Sequence, residues 1–382
     1  MKLKIALITI HWANNYGASL QVFATVKALS KYGDVSVIDY RNSYTSKSMT
    51  RIRWGSKPRD ILRIGKDLLR LFSRYRVIKK FENFNYRYLN LTPQMENDED
   101  FKKLAKDYDL FISGSDQIWN PKIVNEEGIL DTRYFLDFVI EKKRISYASS
   151  IGTYQFKKNE IAQVVSLLNH YDFLSVREKD SSQYLSNLLN REVSHVLDPT
   201  LLHTKNEWLQ FFDMQDDKDK KPYILVYASK KDALLKQVVE EVTKELDMRV
   251  ITIDQDPFSN FKNNRHIKDA GPDEFINLFA QASFIITNSF HGTCFSINFN
   301  IPFIITPPPT SINRIESLLT AVGVQNRITT DGTNLSELIE NKIDFDMINQ
   351  RLQALRVSSN QYLENALGKE QWLDKNISTK HN

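Results

Sequence analysis

Short apolar runs, each stopping at small polar residues and followed by a helix-compatible stretch, recur along this chain. The clearest is Ile285-Ile286-Thr287-Asn288-Ser289-Phe290-His291-Gly292-Thr293. A β-type run from Ser283 to Thr287 ends at Asn288 and Ser289, and a helix-compatible segment then reaches Asn300, before Pro302. The pattern predicts a strand, a tight turn and a helix N-terminus. Such a turn offers free backbone N–H groups and the positive end of a helix dipole, a ready site for an anion. His291 lies in it. An imidazole there can move protons beside a bound anion, because it titrates near neutral pH. It can equally well cap the helix and pack into the turn.

The same unit opens the chain. An apolar run, Lys4–Ile10, leads to Asn14-Asn15-Tyr16-Gly17-Ala18, then a helical segment from Ser19 to Lys31 and a second strand, Val35–Tyr40. This is a β-α-β unit of the doubly wound type, whose ligands bind at the carboxyl ends of strands. Asn15, Tyr16 and Gly17 fall there, although an Asn/Gly turn also suits backbone geometry alone. The loop is not GxGxxG, so it gives no support to a dinucleotide site. Tyr108–Ser113 is a further strand, ending in Gly114-Ser115-Asp116-Gln117-Ile118-Trp119-Asn120. Gly114 permits an unusual turn there, and Ser115 or Asp116 can cap the next segment. Phe173–Val176 ends at Arg177, which either grips a phosphate or carboxylate by two parallel hydrogen bonds or pairs with Glu178 or Asp180. Ser194–Leu197 ends at Asp198-Pro199-Thr200, where Asp198 reads as a turn residue.

The second half repeats the pattern. Its strands are expected at Tyr223–Tyr227, Arg249–Ile253 and Pro302–Thr306, and its helices at Ala233–Leu246 and Pro272–Ala282. Arg314 stands near the start of a helix from about Ile312, facing either an anion or water. Gln350–Leu367 is a last helix, and Ser378–Asn382 a frayed end. A chain of 382 residues suits two domains. We expect an α/β protein with two Rossmann-like, doubly wound domains. The first, residues 1–205, carries a basic helical insertion at about 51–90. The second covers 206–345, and 346–382 form a C-terminal helix and tail. The seam falls near Leu202–Lys221, with Asp213–Lys221 as an exposed linker. If the halves face each other, the polar sites at their strand ends line one cleft.

Composition narrows the function. Hydrophobic content of 41% and charged content of 26% are those of a soluble globular protein. The one cysteine, Cys294, excludes an intrachain disulfide and fits a reducing cytoplasm; it reads as core. No Cys/His cluster has zinc spacing, so no metal is expected. No apolar run is long enough to span a membrane, and the N-terminus lacks the pattern of a signal peptide. Arg51 to Lys80 holds eleven Lys/Arg against Asp60 and Asp67, a charge of +9 in a chain of net +4. Ile61, Leu62, Ile64, Leu68, Leu69, Leu71, Phe72 and Tyr75 recur among these charges at helical spacing. Such a helix either packs its apolar face on the sheet or lies on an anionic membrane. Few aromatics interleave with the basic residues, and the whole chain is nearly balanced in charge, which argues against a nucleic-acid partner.

Taken in order, Asn15-Tyr16-Gly17-Ala18-Ser19-Leu20-Gln21, Gly114-Ser115-Asp116-Gln117-Ile118-Trp119-Asn120, Ser175-Val176-Arg177-Glu178, Leu197-Asp198-Pro199-Thr200 and Ser289-Phe290-His291-Gly292 resemble the polysaccharide pyruvyl transferase family. Asn313-Arg314-Ile315 with Leu318-Leu319 resembles a further family element. The resemblance implies a GT-B-like arrangement with the last helix packed back on the first domain. It also implies transfer of the pyruvyl skeleton of phosphoenolpyruvate onto two sugar hydroxyls, giving a ketal and phosphate, with no cofactor beyond that donor. His291 matches the family's catalytic histidine and Arg177 its anion-binding arginine. Arg314 and the turn at Ser289 and Gly292 would assist. Asn15, Tyr16, Gly17, Gly114, Ser115, Asp116 and Gln117 would shape the cleft or bond the sugar. Some members carry an arginine where this chain has Ser289. The implied partner is a glycan or lipid-linked sugar on the cytoplasmic side, with peripheral membrane contact through 51–80 if the basic helix touches lipid. Two rival readings remain: a GT-B glycosyltransferase whose second domain binds a nucleotide sugar, and a binding protein that keeps the fold without turnover.

Overall fold

A computed structural model of the chain describes residues 2–53, 58–216, 221–229, 231–258, 261, 264–308 and 312–368. Five strands, β1 (Leu3–Ile8), β2 (Gly33–Asp39), β3 (Leu91–Gln94), β4 (Leu110–Ser113) and β5 (Lys143–Ser146), form one sheet in the order β3-β2-β1-β4-β5. A short pair, β6 (Ser175–Val176) and β7 (Ser194–His195), lies beside it. A second sheet holds β8 (Tyr223–Tyr227), β9 (Arg249–Ile253), β10 (Asn264–Ile267), β11 (Phe284–Thr287) and β12 (Phe303–Ile305), in the order β10-β9-β8-β11-β12. All of these pairs are parallel. Each five-stranded sheet has its first strand in the middle and reverses direction there, the doubly wound plan expected from the sequence. The central strands β4 and β11 are buried along their whole length, which is why they read as unbroken apolar runs.

The first half is wrapped by α1 (Tyr16–Leu29), α2 (Pro58–Leu69), α3 (Leu71–Tyr88), α4 (Asp98–Asp107), α5 (Pro121–Val124), α6 (Lys158–Asn169) and α7 (Lys179–Leu189). Then come α8 (Lys205–Phe211), α9 (Ala233–Leu246), α10 (Pro272–Ala280), α11 (Phe290–Asn298), α12 (Asn313–Val322), α13 (Leu335–Glu340) and α14 (Phe345–Leu367). Two strands without a strong sequence signal, β3 and β10, complete the sheet edges. Ahead of the Asp213–Lys221 run, whose described residues are mostly exposed, the seam region is packed. It contains α8, whose Trp208 is fully buried and lies 5.8 Å from the Phe23 ring. Of Asp213–Lys221, residues 217–220 lie outside the described residues, as does the expected frayed end, Ser378–Asn382. The last helix starts a turn earlier than predicted and does pack back on the first half. Tyr362 Oη donates to Ser146 O at 2.7 Å and Ser359 Oγ accepts from Leu197 N at 2.9 Å.

The basic insertion packs part of its apolar face into the core, as one of its two readings has it. Its described cations do not form one free basic surface. Several of them tie the halves together. Lys80 pairs with Glu274 at 2.7 Å, Arg76 with Asp269 at 2.6 Å, and Lys66 with Asp256. Arg70 Nη1 donates to Gln255 O at 2.6 Å. Val77, Ile78, Phe81 and Phe84 of α3 enter the core, whereas Ile61, Leu68, Leu69, Leu71 and Phe72 stay exposed.

Where β1 and β2 end, a buried charge cluster fixes the rim of the cleft. His11 Nε2 lies 3.0 Å from Asp39 Oδ1, and Arg41 donates to both Asp39 oxygens at 2.9 and 2.8 Å. Burial alone would raise the Asp39 carboxyl, but the His11 and Arg41 bonds hold it at about 2. A carboxyl depressed in the fold stabilises above its unfolded value and loses that contribution as pH falls through its folded value. Asp39 is therefore expected to contribute about 2 kcal/mol at neutral pH, lost between about pH 4 and pH 2. Urea unfolding of wild type and Asp39→Asn over that range checks this, because their difference should shrink as the solution is acidified.

Candidate active site

The ends of β4, β6 and β11 and the start of α1 converge between the halves. At their centre is Asp198, fully buried. Its Oδ1 accepts from Thr200 N at 3.0 Å and Thr200 Oγ1 at 2.6 Å. Its Oδ2 accepts from Arg177 Nη1 at 2.8 Å and Ser115 Oγ at 3.3 Å. The same oxygen stands 3.6 Å from His291 Nε2, within ion-pairing distance but too long for a hydrogen bond. Burial would raise the Asp198 carboxyl, but His291, Arg177 and Thr200 hold it well below the usual carboxylate range. Its turn position is as read from the sequence, since it caps the short 3-10 turn Pro199–Leu201. Its role as charge partner to both Arg177 and His291 is not legible there.

Arg177 closes β6 and is buried with it. Beyond Asp198 it donates from Nε to Glu178 Oε1 at 3.1 Å. Of the two ion-pair partners read from the sequence, Glu178 is therefore the one used, and Asp198 joins it from a distant loop. Burial would lower the guanidinium, but Glu178, Asp198 and Asp116 raise it above its ordinary value, so it stays charged. Arg177 Nη2, Glu178 Oε2 and His291 Nε2 are all buried, and none makes a hydrogen bond among the described residues. Buried polar atoms are normally paired, so three such atoms in one cluster mark a place where a ligand completes the bonding.

Phe290 separates two cations. The Arg177 guanidinium lies 4.7 Å from its ring centre and that of Arg314 5.5 Å. Burial and the Arg177 charge lower the Arg314 guanidinium, and Glu178, Asp116 and Asp198 offset this only in part. Arg177, Asp198, Phe290 and Arg314 line one small cavity. Arg314 and Glu178 continue into a second of about 180 Å³, bounded by Gly152, Thr153, Tyr154 and Ser181. Arg314 therefore faces the cleft rather than bulk water.

The His291 turn forms as predicted. Ser289 caps α11, accepting from Gly292 N at 3.4 Å. Gly292 lies so close to β11 that a Cβ there would fall 2.3 Å from Thr287 Oγ1. Gly17 matters more directly. A Cβ on it would stand 2.0 Å from His291 Nδ1. The start of α1 in one half is thus the wall against which the imidazole of the other half rests.

Several polar residues expected to shape the cleft or bond the sugar make hydrogen bonds within the fold. Asn15 caps α1 through Ala18 N at 3.2 Å. Tyr16 is buried across the interface, its ring stacked on Phe275 at 4.6 Å and its hydroxyl donating to Ala270 O at 2.9 Å. Gln117 Oε1 accepts from Asn120 Nδ2 at 2.9 Å, and Asn120, not Ser115 or Asp116, caps the helix that comes next. The left-handed turn is at Asp116, with φ of 74°, and not at Gly114. Gly114 is required by close packing, since a Cβ there would fall 2.9 Å from Leu7 Cδ1. Cys294 is buried on α11, and burial pushes its thiol up, so it is no nucleophile. Among the described residues no group of three or more His, Cys, Asp or Glu could hold a metal ion, and no helix is long and apolar enough to cross a membrane.

A family model described as polysaccharide pyruvyl transferase matches residues 15–307. The chain belongs to the polysaccharide pyruvyl transferase family, a transferase family. The match takes in the Gly17, Ser115, Arg177, Asp198 and His291 segments and stops before Arg314. No curated protein matches the chain. Among solved structures, a UDP-N-acetylglucosamine 2-epimerase is 12% identical, with 97% of each chain covered and a TM-score of 0.53. UDP-GlcNAc 2-epimerase from Methanocaldococcus jannaschii is 13% identical over 90% of this chain and 93% of that one, with a TM-score of 0.50. Likeness at such identity is one of fold: two Rossmann-like domains in the GT-B arrangement.

Gly17→Ala is expected to push α1 and His291 apart and to cost about 1–3 kcal/mol of stability, as overpacking of a filled site does. Denaturant unfolding of the variant measures it.

Proposed function

We propose that this protein transfers the pyruvyl group of phosphoenolpyruvate onto two hydroxyls of a sugar, in a polysaccharide or its lipid-linked precursor. The observation that carries this reading is the cluster of Arg177, Glu178, Asp198 and His291, in which Arg177 Nη2, Glu178 Oε2 and His291 Nε2 are buried and unpaired among the described residues. Phosphoenolpyruvate brings a phosphate and a carboxylate, and two cations, Arg177 and Arg314, flank Phe290. In this scheme Arg177 Nη2 holds one anionic group and Arg314 the other. Arg314 stands in for the arginine that some relatives carry at the Ser289 position, where this chain uses serine as a helix cap.

His291 serves as general acid and base. A proton goes to the methylene carbon while a sugar hydroxyl adds to the adjacent carbon. Phosphate then leaves with the electrons of its C–O bond, and the second hydroxyl closes the ketal. Of the two hydroxyl protons, one replaces that given to the methyl group and the other leaves with phosphate. Proton transfers complete the balance, so the scheme calls for neither a metal nor a further cofactor. Asp198 Oδ2, 3.6 Å from His291 Nε2, stands beside the ring that moves these protons.

His291→Ala is expected to lower kcat with phosphoenolpyruvate by about 10²–10⁴. Arg177→Lys keeps a charge but loses the planar fork, and is expected to raise KM for the donor by about tenfold. Phosphate release from phosphoenolpyruvate in the presence of cell-envelope glycan fractions reads both. Turnover that survives His291→Ala would defeat the mechanism.

We place the reaction at the cytoplasmic face of a membrane, in contact with it through α2 and α3. The exposed Ile61, Leu68, Leu69, Leu71 and Phe72 support this, as do Arg51 and Arg76, whose guanidinium groups lie over the Tyr75 and Phe72 rings. Phe72→Asp is expected to reduce co-sedimentation with vesicles containing anionic lipid. Sedimentation that ignores anionic lipid would count against the contact.

A further inference from the structure

A third cavity, of about 340 Å³, lies between the halves on the far side of Asn15 and Tyr16, at the low end of the usual size of ligand sites. One wall is the basic insertion, which contributes Arg53, Arg70 and Arg74. The opposite wall is the carboxyl end of β9, with Asp254, Gln255 and Asp256 beside Lys231. The two walls differ in charge. On the β9 side Lys231 pairs with both Asp254 and Asp256, and Lys66 also reaches Asp256, so cations and carboxylates match. On the insertion side three guanidinium groups share one carboxylate, Asp67.

Asp67 is fully buried and orients two of the three. It accepts from Arg53 Nε and Nη2 at 3.0 and 2.8 Å and from Arg70 Nη2 at 2.8 Å. Arg74 has no carboxylate of its own. It donates to the carbonyls of Ser48, Thr50 and Arg51. Burial and then the charge of Arg53 lower the Arg74 guanidinium to about 10, with Arg70 adding to the effect. The Nη1 groups of Arg53 and Arg74 make no hydrogen bond among the described residues. An excess of guanidinium groups, with Arg70 and Arg74 buried and Arg53 partly exposed, two of them aimed by a carboxylate behind them, suits phosphate oxygens, which take paired N–H donors.

We propose that Arg53, Arg70 and Arg74 form a phosphate-binding site, separate from the Arg177 site, for a phosphate or diphosphate attached to the acceptor sugar. This deepens the pyruvyl-transfer reading and rests on it. A sugar held by its phosphate on the arginines lies along Asn14, Asn15 and Tyr16, and so approaches Gly17 and the His291 ring that rests on it. The Arg177 site takes the donor's anionic groups; the arginine trio takes the acceptor's.

The test is calorimetric titration with inorganic pyrophosphate of wild type, Arg53→Gln, Arg53→Lys and Arg177→Gln, with phosphoenolpyruvate titrated in parallel. Arg53→Gln leaves the Asp67–Arg70 pair in place, and a matched unfolding midpoint verifies its fold. The expected result is that pyrophosphate binding weakens about tenfold in Arg53→Gln and less in Arg53→Lys, while phosphoenolpyruvate binding keeps its wild-type strength. Competition then names the source of the diphosphate. Displacement of pyrophosphate by UDP points to a nucleotide-linked sugar, and displacement by farnesyl diphosphate to a lipid-linked one. Pyrophosphate that binds all Arg53 variants alike, or is lost only in Arg177→Gln, would overturn the second site and leave the donor site standing. Loss of phosphoenolpyruvate binding alone, with the Arg53 dependence intact, would instead strike the pyruvyl reading.

Discussion

A carboxylate sealed from water needs partners, and Asp198 draws its partners from separate parts of the chain. Thr200 comes from its own turn, Arg177 from the end of β6, Ser115 from the turn after β4, and His291 from the second half. Removing a buried charge's partner typically costs about 3–5 kcal/mol, whereas an exposed pair is worth less than about 1. The strand ends are therefore bound to meet where they do. A negative charge that cannot be neutralised keeps Arg177 charged.

Much of the fold is legible in the sequence because it is local. A buried parallel strand must be apolar throughout, and the helix after it must begin with a capping residue. β1, β4, β8, β9 and β11 announce themselves in this way, as does Ser289. The edge strands β3 and β10 are half polar, and so give no such signal. The site is legible where backbone geometry speaks. His291, Gly292 and Arg177 stand where turn chemistry put them, and Gly17 proves to be a glycine of contact between domains. Sequence spacing could not show the pairing of distant side chains. Asp198 looks like any aspartate before a proline until His291 and Arg177 arrive from other elements. The cap of Asn15, the stack of Tyr16 and the amide pair of Gln117 are likewise invisible in sequence spacing.

The basic insertion illustrates the same limit in reverse. Eleven cations in thirty residues suggest a surface. In the fold Lys66, Arg76 and Lys80 pair with the second half, Arg74 bonds carbonyls at the insertion's root, and Arg53 and Arg70 join Asp67. The apolar stripe is what reaches solvent along α2 and the start of α3. An amphipathic segment turned this way joins the two domains with its polar side and shows the apolar side outward.

Parting the halves would draw the Tyr16 ring off Phe275 and its hydroxyl off Ala270, and the same movement would lift Gly17 from the His291 ring. A wide-open cleft and an aimed imidazole therefore exclude one another. One set of contacts thus both holds the halves together and fixes how the His291 ring lies.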